Sequence, residues 1–386
     1  MNTCWHQLLA LTGVCVFCCV VATSLFSEED EPKLTTGKSS DAGSQELPIP
    51  KNKPEFPPAL MLMTSVQLND MPRMKRMLQA DPNLAKSGLH DQGGGVFAAS
   101  AIDTAAEWNR LEAMRILLDL GAAPDVLNSD SERTPLQQAA YWNSMSVMIE
   151  LLDRGVDINS VGTGHEEGPN FRKIIQSSRY PYGSALDCAA EGGSVEAVRE
   201  LLRRGAKLEV APEAYRSSAI HRAMTKRWEQ RKRIVQVRRE MHTRDPMRFR
   251  DPGPDPVEGN VEVIELLMGA GADLHQQNFE GDMPLHIAVR NLQVATVAHL
   301  LDKYGDRIDV NARGRGGYTP LMCAVDTNFP TNSPEGVSRR CQLIVALKKH
   351  GAKLDLLTDG KPGQTAYEIA VECGHIAEVT NLLQSP

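Results

Sequence analysis

The chain has 386 residues, and 41% of them are apolar but only 5% are aromatic, so its core has to be built from Leu, Ala, Val, Ile and Met. A globular chain of this length predicts two or three domains. The eight cysteines are not arranged as a disulfide framework, which excludes the disulfide-stapled class, and the formal charge of −7 is unevenly distributed.

The N-terminus contains an apolar segment. No charged residue occurs from Leu8 to Phe26, and these 19 residues reach the length of a membrane span while exceeding the usual signal-peptide core. Residues 22–24 are small, as at a cleavage site. We therefore expect residues 1–27 to be a signal peptide or an uncleaved membrane anchor, with the body of the protein extracytoplasmic (secreted or periplasmic) or membrane-anchored by residues 8–26.

The following segment, residues 28–57, is rich in Ser, Lys, Glu and Pro and has few large apolar side chains. Such a composition cannot bury enough apolar surface to fold, so it predicts a disordered linker. We expect this linker to hold the rest of the chain away from a surface.

The rest of the chain repeats two short phrases, the second about twenty residues after the first. The first phrase reads RTPLQQAA at 133–140, GSALDCAA at 183–190, DMPLHIAV at 282–289 and YTPLMCAV at 318–325. The second phrase reads LLDLGA at 117–122, LLDRGV at 151–156, LLRRGA at 201–206, LLMGAGA at 266–272 and LKKHGA at 347–352. Self-similarity of this kind predicts a repeat architecture and favours recognition over catalysis.

The two phrases resemble the ankyrin repeat, whose Thr-Pro-Leu-His-x-Ala signature opens the first helix of a unit of about 33 residues. The resemblance covers residues 58–386 and implies an all-α solenoid of about eight stacked helix-turn-helix units with hairpin loops. Signature positions recur at intervals of 34, 50, 34, 65, 36 and 46 residues, at Ser100, Thr134, Ser184, Ser218, Met283, Thr319 and Thr365. The longer intervals place insertions at 161–180, 225–258 and 327–338.

The residues of one unit predict the same structure. Thr134 is placed to cap a helix, and Pro135 occupies the first helical position, where its missing N–H has no cost. Ala139 and Ala140 then make a narrow apolar face that lets helices pack closely. Asn143 occupies the position held by Gly193 in another unit, and Asn tolerates the left-handed conformation that ends a helix.

The largest insertion is basic. No Gly or Pro occurs from Ser218 until Pro246, which predicts that the first helix of the fifth unit continues for about five extra turns. Residues 222–250 contain eleven Lys or Arg against three acids, a formal charge of +8. The helix either leans on the acidic solenoid and neutralises it, or contacts a protein or an anionic surface. The candidate contact residues are Trp228, Arg231, Lys232, Arg233, Arg238 and Arg239.

A second candidate contact is aromatic. Trp108 and Trp142 hold the same position at the end of the first helix in consecutive units, with Tyr141 beside them. Trp and Tyr are favoured interface anchors, so these residues are candidates for partner binding. Packing between the two units explains the pair equally well.

The sequence offers no catalytic, cofactor or metal site. It contains no nucleophile elbow, phosphate-binding loop, zinc-protease helix or paired-glycine fingerprint. The resemblance makes His221 and His286 structural residues that bond to backbone in neighbouring turns. Cys188 and Cys323 should face the packed interior as free thiols, whereas Cys341 and Cys373 lie in adjacent units and are either free or paired.

The sequence therefore predicts a non-enzymatic scaffold, exported or membrane-tethered, that binds an unidentified protein through the concave face and hairpin tips of an ankyrin solenoid. The alternative is an envelope-associated structural protein whose basic helix 222–250 docks on anionic lipid or polymer. Nucleic acid is disfavoured as a partner because an exported protein rarely meets it.

Overall fold

A computed structural model of the chain describes residues 57–90, 97–125, 133–161, 183–209, 218–225, 260–326, 334–374 and 377–384. Within these residues, sixteen α-helices follow one another as eight pairs. The pairs are α1 (Pro58–Gln67) with α2 (Met71–Ala80), α3 (Ala101–Glu107) with α4 (Leu111–Asp119), α5 (Pro135–Trp142) with α6 (Met145–Asp153), α7 (Ala185–Gly192) with α8 (Val195–Arg203), α9 (Ala219–Ala223) with α10 (Asn260–Gly269), α11 (Pro284–Arg290) with α12 (Val294–Tyr304), α13 (Pro320–Val325) with α14 (Pro334–Lys349), and α15 (Ala366–Glu372) with α16 (Ala377–Gln384).

The connection between the first two pairs contains a small antiparallel sheet. Strand β1 (Gly88–His90) pairs with β2 (Phe97–Ser100), with Gly88 opposite Ser100. The expected helical fold with hairpin loops is confirmed, and in this connection the hairpin loop forms a short two-stranded sheet. Its two arms run side by side in opposite directions, so their backbone groups bond to each other.

The pairs stack in a single row. Each first helix packs against the first helix of the next pair, from α1 through α15, and each second helix from α4 onward packs against the next second helix. The buried side chains of all eight pairs form one continuous apolar cluster. Because every pair contacts only its neighbours, no pair has a separate core.

Capping residues start the first helices as the sequence predicts. The Thr134 hydroxyl accepts the Gln137 N–H at 3.4 Å, and the Gln137 side chain accepts the Thr134 N–H at 2.9 Å. Ser184 and Thr365 begin α7 and α15 with the same reciprocal arrangement. Each such cap satisfies backbone donors that the helix itself leaves without partners.

The turn between the helices of a pair needs a left-handed residue. Asn143 adopts φ +58° and Gly193 adopts φ +65°, which confirms the equivalence of the two positions. The side chain of Asn143 adds a bond between units, because its Oδ1 accepts the Ala197 N–H at 3.1 Å. Asn therefore both ends its own helix and holds α8 of the next pair.

The third and fourth pairs approach each other very closely. Ala139, Ala140, Ala189 and Ala190 are completely buried. Gly192 lies so near α5 that an added Cβ would be 2.2 Å from the Tyr141 carbonyl oxygen. Small side chains on both helices are what permits this distance.

The predicted prolongation of the fifth unit's first helix is wrong at its start. Helix α9 ends at Ala223, followed by a turn at Met224 and Thr225. The side-chain amide of Gln293 donates to the carbonyl oxygens of Met224 and Thr225, at 2.8 and 3.0 Å. These bonds replace those that a continuing helix would make. Residues 226–259, and the insertion they form, lie outside the described residues.

The predicted insertion at 327–338 is partly helical. Its last five residues belong to α14, which begins at Pro334 and extends for 16 residues. Arg340, 1% exposed, donates from this helix to the Ala324 carbonyl at 2.7 Å. A buried cation at the carboxyl end of α13 satisfies a terminal carbonyl, and desolvation lowers the pKa of Arg340.

The remaining sequence predictions concern segments outside the described residues. These are the signal or anchor within 1–27, the linker 28–57 apart from Pro57, and the insertion 161–180 apart from Val161. Among the helices that the structure does describe, none is long and apolar enough to cross a bilayer.

The close approach at Gly192 gives a stability prediction. Gly192→Ala forces α5 and α7 apart, so the free energy of unfolding falls by about 1–3 kcal/mol. Gly269→Ala is the matched control, because its Cβ meets nothing within 4 Å. It should leave stability unchanged or raise it by up to about 1 kcal/mol. Urea denaturation measures both, and equal stability of the two variants would contradict the close approach.

Candidate partner-binding surface

The three aromatic candidates are mostly covered. Trp108 is 9% exposed and Tyr141 is 7% exposed, while Trp142 is half-buried. The ring of Tyr141 meets that of Trp142 edge-on, with centroids 5.3 Å apart. Trp108 and Tyr141 therefore present little surface to a partner, contrary to what an exposed anchor requires. Packing within the chain, the other reading of these residues, agrees with this burial.

Tyr141 also belongs to a buried polar cluster that joins three pairs. The guanidinium of Arg133 lies over its ring at 3.8 Å and is 3.5 Å from Glu191. Arg222 donates to the same Glu191 carboxylate at 3.0 Å, and both of these side chains are under 5% exposed. Breaking such a buried pair leaves an uncompensated charge, so removal of either partner would destabilise the contact between these pairs.

The basic candidates have no described placement. Trp228, Arg231, Lys232, Arg233, Arg238 and Arg239 all lie outside the described residues. Arg222, the first residue of the predicted basic stretch 222–250, is placed and is 4% exposed. Its guanidinium forms an ion pair with Glu191 inside the solenoid, so it is not available to an anionic surface.

The signature histidines have the structural role that the resemblance implies. His221 Nε2 is 2.8 Å from the Gln276 carbonyl oxygen, and His286 Nε2 is 3.1 Å from the carbonyl oxygens of Ala312 and Tyr318. Each histidine thus ties the start of its helix to a hairpin. Burial lowers the pKa of His221 to about 4 and also lowers the pKa of His286, because the charged ring would lose its hydration.

The corresponding residues in other units make similar contacts with other chemistry. Gln137 donates to the Gly183 carbonyl at 2.6 Å. Asp187 accepts the N–H and the hydroxyl of Ser184, at 2.7 and 3.0 Å. Burial raises the pKa of the Asp187 carboxyl to about 6. Amide, carboxyl and imidazole side chains therefore share one position, and the shared property is a buried hydrogen bond.

Three hairpins after the fifth, sixth and seventh pairs are described completely, and they cover residues 273–282, 309–318 and 355–364. We call them the hairpin row. Glu280 of the first pairs with Arg315 of the second at 3.3 Å, and Arg313 of the second pairs with Asp359 of the third at 3.0 Å. The Asp359 N–H also donates to the Gly316 carbonyl at 3.0 Å. Adjacent hairpins are thus held in a fixed order.

The hairpin row carries exposed apolar side chains. Phe279 is 42% exposed and Leu357 is 48% exposed, in the first and third hairpins. Arg315 and Lys361 follow the same hairpin pattern as Phe279 in their own units. The row therefore presents an aromatic side chain and cations at corresponding positions on a fixed backbone. The sequence analysis did not identify these residues. The signal that could have identified Phe279 is an aromatic residue at a hairpin position where the next two units carry Arg and Lys.

The second helices present a different surface, with ion pairs between units. Arg154 bonds to Glu150 and Asp119, each at 2.8 Å, and Arg204 bonds to Asp153 at 2.7 Å. Exposed pairs of this kind stabilise little individually. These ion pairs neutralise the charged side chains of this surface. The hairpin row differs because it exposes the apolar side chains of Phe279 and Leu357.

The cysteines and metal ligands give no further site in the described part of the chain. Cys188, Cys323, Cys341 and Cys373 are free thiols, and the first two are buried as expected. Burial raises the pKa of Cys323 to about 12, so this thiol stays protonated and unreactive. No group of three or more His, Cys, Asp or Glu that could hold a metal occurs among the described residues.

Stacked helix pairs joined by projecting hairpins define a class, the helical-repeat solenoids that act in molecular recognition. Comparison with known proteins identifies the family. A family model of ankyrin repeats in three copies matches residues 61–161 and 257–339. The chain is an ankyrin repeat protein. Ankyrin repeats generally serve as protein–protein interaction modules, and the fold is typically non-enzymatic.

Individual relatives match parts of the chain. An L-asparaginase of Dirofilaria immitis is 27% identical over 177 residues, 45% of this chain and 28% of that protein. Rabankyrin-5 of Homo sapiens is 35% identical over 83 residues, 21% of this chain and 7% of that protein. The chain thus spans less than a third of either relative. Among solved structures, the ankyrin repeat domain of human ASB11 superposes with a TM-score of 0.49 and 20% identity, covering 75% of this chain and 99% of that domain.

The buried histidines give a pH prediction. The folded-state pKa of His221 is about 4, below its ordinary 6.5, so the unfolded chain binds this proton more tightly. Stability is therefore complete above about pH 6.5 and is lost as pH falls toward about 4, by about 3 kcal/mol at most. His221→Gln removes this proton and should flatten the fall of the thermal midpoint between pH 7 and pH 4.5.

The exposed His275 supplies the control for that measurement. His275→Gln should keep the pH dependence of the unaltered chain. If His221→Gln retains the full pH dependence as well, His221 is not the group whose protonation destabilises the fold.

Proposed function

We propose that the protein is a non-enzymatic scaffold that binds a protein partner through the concave face and hairpin tips of its solenoid. The observation that carries this proposal is the hairpin row, with Phe279 and Leu357 exposed on hairpins that are bonded to each other. An exposed aromatic side chain on a fixed backbone loses little conformational freedom on binding. Flanking Arg and Lys side chains add orientation and specificity.

The hairpin row also favours protein over small-molecule binding. Its exposed groups lie on three successive hairpins and so are spread along the solenoid. A small ligand needs a concave pocket that buries most of its surface, whereas a protein partner covers an extended surface with a few anchors. Phe279 and Leu357 are suited to be those anchors, in place of the covered Trp108 and Tyr141.

The alternative, an envelope-associated protein that docks its basic helix 222–250 on anionic lipid or polymer, has weaker support. Arg222 is buried against Glu191, and the other basic residues are outside the described part of the chain. Salt separates the two functions. Binding through Arg231, Lys232 and Arg233 should collapse at high salt, whereas binding centred on Phe279 should persist.

The proposal includes an exported or membrane-tethered location. It rests on the uncharged segment from Leu8 to Phe26 and on the polar, Pro-rich linker at 28–57. A linker of this composition gives the solenoid reach from a membrane or from its point of export. The hairpin row would then face a partner outside the cytoplasm.

A photo-crosslinking experiment tests partner binding. A benzophenone amino acid replaces Phe279 in one variant and Val345, a 53% exposed residue of α14, in the other. Illumination in a native extract should join the first variant to a defined protein partner and leave the second without that adduct. The captured partner, once purified, should bind Phe279→Ala about tenfold to thirtyfold more weakly than the unaltered chain, as for an anchor residue.

Two results would contradict this function. The same adducts from both positions would mean unspecific capture, and unaltered affinity of Phe279→Ala for the captured partner would remove the hairpin row from the interface. Val345→Ala is the matched variant for the affinity measurement and should bind like the unaltered chain.

The location has its own test. Deleting residues 1–27 should retain the protein in the cytoplasm, whereas the full chain should be degraded by protease added outside intact cells. The N-terminal residue of the exported protein, determined by mass spectrometry, distinguishes a cleaved signal from a retained anchor. Protection of the full chain from external protease would be evidence against export.

A further inference from the structure

Among the described helix pairs, the smallest contact between neighbours is that of the fifth pair with the sixth. Helix α9 of the fifth pair has five residues, whereas α5 and α7, the corresponding helices of the third and fourth pairs, have eight. The difference is nearly one helical turn. Backbone approaches between α9 and α11 are fewer than those between any other two successive first helices. Those between the second helices α10 and α12 are also few, so they do not compensate.

The side chains that close this contact are polar. They belong to the turn between α11 and α12, where the Asn291 amide donates to the Met224 carbonyl at 3.1 Å. The Gln293 amide donates to the same carbonyl at 2.8 Å and to the Thr225 carbonyl at 3.0 Å. Both carbonyls lie just beyond the end of α9 at Ala223. These three bonds, which we call the amide clasp, take the place of the turn that α9 lacks.

The fifth pair is joined more firmly to the fourth pair than to the sixth. Although α9 is short, it packs on α7 over much more of its backbone than on α11. The buried ion pair of Arg222 with Glu191, at 3.0 Å, adds a further link to the fourth pair. Close packing is lost outright when a contact opens, whereas water replaces the hydrogen bonds of the amide clasp. Opening therefore costs least between the fifth and sixth pairs.

We propose that this junction divides the solenoid into two blocks that unfold separately, pairs one to five and pairs six to eight, with the amide clasp as their coupling. Repeat arrays follow nearest-neighbour energetics, so their cooperativity is lost first at the weakest junction. The second block contains the hairpins 309–318 and 355–364, and the hairpin 273–282 spans the junction. Most of the hairpin row thus opens and closes with the second block. The division needs no partner, so it holds or fails whatever the hairpin row binds.

Pulse-labelling hydrogen exchange tests the division with the full chain. The protein is equilibrated at a series of urea concentrations, exposed briefly to deuterated buffer, digested and analysed by mass spectrometry. Each peptide then reports the urea midpoint of its own helix. Peptides of α1–α10 should share one midpoint, and peptides of α11–α16 should share a different one. The border should fall within the hairpin 273–282.

Gln293→Met tests the amide clasp, because Met keeps the length of the side chain and cannot donate to the two carbonyls. The less stable block breaks the junction when it unfolds, so the lower midpoint should fall. The more stable block then unfolds without the junction, so the higher midpoint should stay unchanged. Below both transitions, the less stable block should be unfolded at least about tenfold more often than in the unaltered chain.

Gly192→Ala is the contrasting variant, because Gly192 lies inside the first block, between α5 and α7. It should lower the midpoint shared by α1–α10 and leave the midpoint shared by α11–α16 unchanged. Circular dichroism establishes that both variants are folded without urea.

Three outcomes would overturn the proposal. One is a single urea midpoint for all the described helices, and another is a border at a different junction. The third is a Gln293→Met variant in which both midpoints fall together or neither falls. The unaltered chain decides the first two, so they do not depend on the folding of a variant.

Discussion

The structure depends on burial between neighbouring helix pairs. Ala139, Ala189 and Gly192 leave so little volume between α5 and α7 that backbone atoms of adjacent pairs nearly touch. No pair encloses a core of its own, and the apolar area that stabilises each pair is supplied by the pairs on either side. Stability, elongated form and the identity of the exposed surfaces all follow from this constraint.

The same packing turns polar signature residues into structural parts. One helix position is occupied by His221, His286 and Gln137 in three units. Each of these side chains forms a hydrogen bond with a backbone carbonyl of a hairpin. The bonds of the two histidines, with the ion pairs between adjacent hairpins, hold the hairpin row in place. The proposed binding surface is made of loops. Its hairpins are restrained because each is bonded to the next, and the first two are also bonded to a histidine at the start of a helix.

Charge is used in three ways along the chain. Arg222 and Glu191 form a buried pair between units, Arg154 and Glu150 pair on the second helices, and Arg313 with Asp359 joins two hairpins. The formal net charge of −7 does not indicate these roles, because the role of each charge depends on where it lies in the structure.

The sequence by itself determined the repeat architecture, since the capping residues, the alanine positions and the left-handed turn at Asn143 are local requirements that recur in each unit. It also identified the roles of His221 and His286 through the resemblance. It did not predict features that depend on neighbouring units. Helix α9 ends at Ala223, and the side chain of Gln293, far along the chain, donates to the carbonyls that follow. The sequence left open whether Trp108 and Tyr141 are packed or exposed, and it did not identify Phe279 as exposed. Whether a side chain is covered depends on which unit lies beside it, and only the stacked structure supplies that neighbour.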